Sequence, residues 1–215
     1  MKTDQMMASC YGRVVAAESE RQAARRQAIL DAAESLFLEH GFTGVSLQAI
    51  VRRSGGSLAT VYELFGNKQG LLRAVVDRHR DRGLGDIEEI ACSASRPADI
   101  LLTVAERYHG FAADPRSVDF LRLVIGESLR DPDFGQAFHH DMHDCHLHGV
   151  AECFERWNAE GKAEIDDPLA AAELYFSTVM CDAPMRAMLG APPEPTERAK
   201  LAWRLQPFID RFRIA

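Results

Sequence analysis

No two of the five cysteines (Cys10, Cys92, Cys145, Cys153, Cys181) are spaced as a CxxC pair, and their number is odd. That argues against a disulfide framework and for reduced thiols in a cytoplasm. No stretch is long enough, or free enough of charge, to cross a membrane. Asp4 and Gln5 interrupt the N-terminus before an apolar signal-peptide core can form. A GxSxG elbow, a glycine-rich phosphate loop and a cysteine with an evident base partner are also missing. Glu106 and His109 make one Glu-x-x-His, half of the carboxylate-bridged di-iron motif. The second half is absent, because Gln136, His140, His143 and Cys145 stand three residues before His139, His143, His146 and His148. Glu106 and His109 therefore read as an exposed i, i+3 pair. The chain is expected to be no enzyme and to carry no cofactor.

Strand alternation, internal repeats and low-complexity tracts are absent too, which leaves an all-α chain of 215 residues with 47% hydrophobic content. Residues 1–22 lack a clear period and read as a flexible arm, with Ser19 and Gln22 as a possible capping box. The first long helix has Ile29, Ala33, Leu36 and Phe37 on one face and ends at Gly41. Ser46 can cap a short helix burying Leu47, Ile50 and Val51, and Gly55-Gly56 supplies a turn. Ser57 caps a second short helix, Leu58 to Leu64, which buries Val61 and is anchored by Phe65. Asn67 caps a third run with Lys68 in its first turn and Leu71, Leu72, Val75 and Val76 inward. It is expected to end near Arg82, with Gly83 and Gly85 as a hinge. Two short helices across a tight turn, with small or hydroxyl-bearing residues outward on the second, form the pattern of a helix-turn-helix.

Net charge is −7, yet its distribution is uneven. Through residue 80 there are eleven Lys and Arg against eight Asp and Glu, a surplus of +3, so the remainder carries −10. A basic front end on an acidic body suits a DNA-binding head whose body stays off the phosphates.

Residues Arg25 to Val76 resemble the N-terminal domain of the tetracycline-repressor (TetR) family of bacterial transcriptional regulators. AILDAAESLFLEHGF (Ala28–Phe42) and SGGSLATVYELFGNKQGLL (Ser54–Leu72) carry the resemblance, the second with Thr60, Tyr62, Phe65 and Lys68 at the family's spacing. Two features depart from it. Gly56 stands where the family usually has a small branched hydrophobe, and Leu58 and Glu63 occupy positions more often polar or basic. The resemblance implies a helix-turn-helix head over residues 23–82 and an effector-binding and dimerisation domain over 83–215. It also implies a homodimer reading a palindromic operator in double-stranded DNA and answering to a small-molecule effector. Ser46, Ser57, Thr60, Tyr62 and Lys68 are then expected at phosphates, and Leu58 and Ala59 at thymine methyl groups.

In the body, helices are expected to start at Pro97, near Val118, near Phe134, at Asp167-Pro168 and at a Thr196 cap. Asp114-Pro115 and Asp131-Pro132 separate the first three, and Gly161 stops the third. The Asp167 helix is apolar nearly all round and is expected to be buried on both sides. Kinks are expected at Pro184 and Pro207. Glu173 to Gly190, ending in DAPMRAMLG, looks like the C-terminal domain of one subgroup of these regulators. The resemblance implies an apolar cavity, assigned to Tyr108, Phe111, Leu121, Ile125, Phe138, Met142, Phe176 and Met180. It also implies a dimer seam built from the last two long helices, assigned to Leu174, Leu201, Leu205, Phe208 and Phe212. His139, His143 and His146 share a helix face at i, i+4 and i+7 and define the rival reading, a metal-responsive regulator. The expectation adopted is no metal site. A second rival, of another class, is a dimeric interaction protein on the same fold that does not bind DNA.

Overall fold

The computed structural model describes the backbone of residues 2–91, 96–191 and 197–215, and side chains over 20–83, 89–90, 96–141, 143–191 and 197–215. Every regular element among them is helical. The chain divides into two compact units, Met1–Val76 and Asp77–Ala215, where the sequence put the join near residue 82.

The first unit begins with α1 (Lys2–Gly44), which is helical through the segment expected to be an arm and includes Ser19. Ala, Glu, Gln, Arg and Met dominate that stretch and no proline interrupts it, so local propensity favours helix there. Gly41 breaks the run at φ 70° and ψ 163°, and Phe42 folds back on Phe37 with ring centroids 5.4 Å apart. α2 (Leu47–Ser54) and α3 (Leu58–Phe65) follow, then α4 (Lys68–Ala91). Asn67 caps α4 through Oδ1, which accepts from Gly70 N at 2.8 Å. Ile29, Leu30, Ala33, Phe37, Ile50, Val61, Phe65, Leu71 and Val75 are buried. A fully buried side chain of this size contributes ~1.5–3 kcal/mol. α4 continues past Gly83 and Gly85, so the hinge expected there is absent. A glycine inside a helix costs only about 1 kcal/mol relative to alanine, and two of them do not end a 24-residue helix.

The second unit contains α5 (Pro97–Ala113), α6 (Pro115–Ser128), α7 (Pro132–His139), a π-helical turn (His140–Asp144) and α8 (Cys145–Ala159). α9 (Pro168–Met180), α10 (Ala183–Met188) and α11 (Arg198–Arg211) complete it. Asp114, Asp131 and Asp167 each cap the next helix with a carboxylate accepting from the backbone three residues on, while proline takes the first helical position. Thr196, expected to cap the last helix, lies outside the described residues, and Glu197 occupies the cap position without a side-chain bond.

One core joins α5, α8, α9 and α11 around Leu101, Val104, Phe154, Trp157, Tyr175, Leu205 and Phe208. The Tyr175 hydroxyl donates to Leu101 O at 2.7 Å and so ties α9 to α5. α9 buries Ala171, Ala172, Tyr175, Phe176 and Val179 but leaves Glu173, Leu174 and Ser177 exposed, so burial on both sides does not occur within one chain. Pro184 opens α10 after the break at Cys181, as the sequence led us to expect. Pro207 does not break α11. It sits on the exposed side, where solvent can serve the carbonyl that lost its donor.

Candidate nucleic-acid interface

The geometry of the head follows from its caps. Ser46 Oγ accepts from Ala49 N at 3.2 Å and starts α2. Ser57 Oγ accepts from Thr60 N at 3.2 Å and lies 3.0 Å from Thr60 Oγ1, so the two hydroxyls steady one another at the start of α3. Val61 and Phe65 bury the other side of α3. Ser57 and Ala59 are exposed, Leu58 and Thr60 are half-buried, and Tyr62 is 55% exposed although it is a large ring. Ser46, at the start of α2, is exposed as well. Each serine hydroxyl that accepts a cap bond still has a proton to donate.

Lys68 departs from the expected set. Its ammonium donates to Phe42 O at 2.8 Å and to Val45 O at 2.9 Å, and lies 4.4 Å from the centre of the Phe42 ring. It braces the end of α1 against α4, and its assignment as a phosphate ligand is corrected to that structural role. Other head cations are distributed differently. Arg53 binds Glu39 at 3.1 Å, and in doing so holds the Glu39 carboxyl below its usual range, with help from Ser35. Arg26 lies over the Phe65 ring at 5.4 Å. Arg25 reaches from α1 to the turn between α2 and α3, where Nη1 donates to Ser54 O at 3.3 Å. Sequence reasoning missed Arg25 because its partner lies 29 residues away.

In the body, the residues assigned to a cavity part company. Tyr108 and Phe176 meet edge-to-face at 5.1 Å, and Tyr108 and His146 meet edge-to-face at 6.1 Å. The Tyr108 hydroxyl is buried and has no hydrogen-bond partner among the described residues, and burial pushes its pKa up. Leu121, Ile125 and Phe138 are half-buried. Phe111 and Met180 are exposed, so the assignment of these two as internal walls is corrected: each lies near the C-terminal end of its helix, where packing thins out. The side chain of Met142 lies outside the described residues.

The seam assignment is corrected as well. Leu201, Leu205 and Phe208 are buried in the core of their own chain, because the face of α11 they share packs on α5 and α9. Phe212 packs half-buried on Phe208, and only Leu174 of the expected set is exposed, at 50%. Glu106 and His109 do not form a pair either. Glu106 binds Arg198, and His109 Nε2 lies 2.8 Å from Val179 O.

The His-rich segment does not keep its expected face. The π-turn lies between His139 and Cys145 and shifts the angular register. His139 and His143 stay 4.9 Å apart, but His146 faces Tyr108, and His140 lies 2.8 Å from Asp144 Oδ2. Among the described residues no three His, Cys, Asp or Glu side chains converge as a metal site. Among them, too, no helix is long and apolar enough to cross a membrane.

Comparison with known proteins agrees with this division. Residues 29–75 match the family described as bacterial regulatory proteins, tetR family, and residues 99–203 match the AefR-like transcriptional repressor C-terminal domain. The HTH-type transcriptional repressor AcnR of Corynebacterium efficiens is 28% identical over 174 residues, covering 79% of this chain and 85% of that protein. The HTH-type transcriptional repressor ComR of Escherichia coli is 47% identical over 57 residues, 26% of this chain and 27% of that protein. A TetR-family regulator of Mesorhizobium loti has a solved structure with TM-score 0.78 at 25% identity, covering 89% of this chain and 98% of that one. With head and body both matched and the helix-turn-helix capped at each end, the chain belongs to the TetR family and is a DNA-binding transcriptional regulator, not an enzyme.

Proposed function

We propose that this regulator is a homodimeric repressor that leaves its operator when a small, neutral, largely apolar effector enters the body. The relatives in Corynebacterium and E. coli are both named repressors, which supports the direction of regulation. Each subunit lays α3 in a major groove of a palindromic site. Ser46, Ser57, Thr60 and Tyr62 hold the backbone there, and Leu58 and Ala59 meet base edges. Such a protein works in the cytoplasm, where its thiols stay reduced.

The observation that carries the effector reading is the Tyr108 hydroxyl, buried beside Phe176 and His146 with no partner among the described residues. A buried hydroxyl left without a bond costs ~1–3 kcal/mol. It suits a chamber whose guest brings the missing acceptor. Phe176 lies against the ring, we assign Leu121, Ile125 and Phe138 to the walls with it, and none of these residues is Lys or Arg, so a polyanion is a poor guest. Release follows if the effector binds the DNA-incompetent state more tightly, since equal affinity for both states shifts nothing.

The experiment takes a duplex selected by the protein from a random-sequence pool and screens neutral aromatic compounds for its release in a gel shift. Tyr108→Phe should bind that duplex normally, melt at the same or a higher temperature, and respond to a carbonyl-bearing hit at least several-fold less. A variant that melts lower and responds like wild type would show that the hydroxyl has an internal partner and is no anchor.

A further inference from the structure

The turn of the helix-turn-helix contains a feature that the caps do not explain. Gly55 and Gly56 lie at φ 78° and φ 87°, and directly over Gly56 sits the guanidinium of Arg25. A Cβ at residue 56 would fall 1.4 Å from Nη2, 2.3 Å from Cζ and 2.8 Å from Nε of Arg25. No side chain of any size can share that space. Because the obstructing atoms are the far end of a flexible side chain, a residue at 56 would displace the guanidinium, and the positive φ adds backbone strain to that substitution. The seat exists only because position 56 lacks a side chain.

We propose that Arg25 is a DNA phosphate-binding residue and that Gly56 is its seat. The proposal rests on the reading of α2 and α3 as the DNA-reading unit. Three observations support it. Arg25 carries five N–H donors in a planar fork, and one, Nη1, is engaged with Ser54 O. No carboxylate pairs with it among the described residues, whereas Arg53 is neutralised by Glu39 and the Lys68 ammonium is turned into the fold. Arg25 is half-buried, and its guanidinium lies over the turn that leads into Ser57 and α3, so the cation is held beside the start of the helix proposed to enter the groove. A guanidinium held in this way gives a phosphate two parallel donors at little further entropic cost. Gly56 and Arg25 thus work as a pair, and the loss of the branched side chain at 56 is the condition for the cation above it.

The test uses a duplex selected by the wild-type protein from a random-sequence pool, with affinity measured across a series of KCl concentrations. Arg25→Gln keeps a polar amide on a shorter stem and removes the charge. It should leave the melting temperature unchanged, weaken binding about three- to tenfold, and flatten the slope of log affinity against log salt by ~0.9. Arg25→Lys should recover most of the slope. Gly56→Ala should flatten the slope by a similar amount, and the double variant Arg25→Gln/Gly56→Ala should flatten it no further than Arg25→Gln alone. An unchanged slope in Arg25→Gln, or additive losses in the double variant, would overturn the proposal and leave the DNA-reading head intact. If the wild-type protein selects no duplex at all, the reading of the head fails and this proposal fails with it.

Discussion

Lys68 shows how far a single residue can depart from what its neighbours suggest. A lysine in the first turn after a helix-turn-helix has the right sequence position for a phosphate contact. The direction of its stem, however, is decided by two carbonyls, at Phe42 and Val45, that come from 26 and 23 residues earlier. Local sequence carries no signal for that choice, and Arg25 was hidden for the same reason. Lys68→Met should therefore act on stability rather than on DNA. It strips a charged donor from two part-buried acceptors, at a cost of about 1–3 kcal/mol. The head should melt several degrees lower, and the salt dependence of duplex binding should stay as in wild type. A shallower salt slope at an unchanged melting temperature would return Lys68 to the phosphate contacts. Tyr62 differs, because it stays 55% exposed on α3 as the sequence suggested.

Among the elements, the helix starts were the legible part. A cap needs only one oxygen and the backbone N–H three residues on, so Ser46, Ser57, Asn67 and Asp167 announce themselves locally, while Asp114 and Asp131, read only as separators, cap the next helix in the same way. What sequence could not give was continuity. α4 runs through Gly83 and Gly85, α11 runs through Pro207 on its exposed side, and a π-turn interrupts the His-rich segment, none of which a local residue pattern announces. The Asp114 cap offers a clean test. Its carboxylate accepts from Ser117 Oγ at 2.7 Å and from Ser117 N at 2.8 Å, and the Ser117 hydroxyl bond is the main reason its pKa is held below the ordinary carboxylate value. Asp114→Ala should lower stability by about 1 kcal/mol in urea unfolding near neutral pH, and Asp114→Asn should lose much less. Because the folded pKa is the lower one, the stabilisation is present above the ordinary carboxylate range. It disappears as pH falls through the folded value, so wild type and Asp114→Ala should converge in acid. Curves that stay parallel down to that range would mean the carboxylate charge contributes nothing to the cap.

For the whole molecule, the question is which apolar surface is left once each chain has closed its own core. The stripe Leu201, Leu205 and Phe208 looked like a seam because it is clean and periodic, but periodicity only says that a face is buried, not by whom. In the fold it is buried by α5 and α9 of the same chain. The opposite side of α11 still carries Trp203 at 77% exposure, and α9 carries Leu174 at 50%. A tryptophan that open on the last helix, with a leucine open on the helix packed beside it, suits a partner copy. On the homodimer proposed above, we place the contact on these outward faces. Leu174→Glu with Trp203→Glu should give a folded monomer in analytical ultracentrifugation, with helical content kept. Duplex affinity should fall steeply, because two half-sites no longer act as one bivalent target. Leu205→Glu should behave differently. At 1% exposure it puts a charge into the core at a cost of several kcal/mol, so it should unfold or aggregate rather than simply dissociate. A Leu174→Glu/Trp203→Glu protein that sediments as a dimer and binds the duplex like wild type would move the seam to another face.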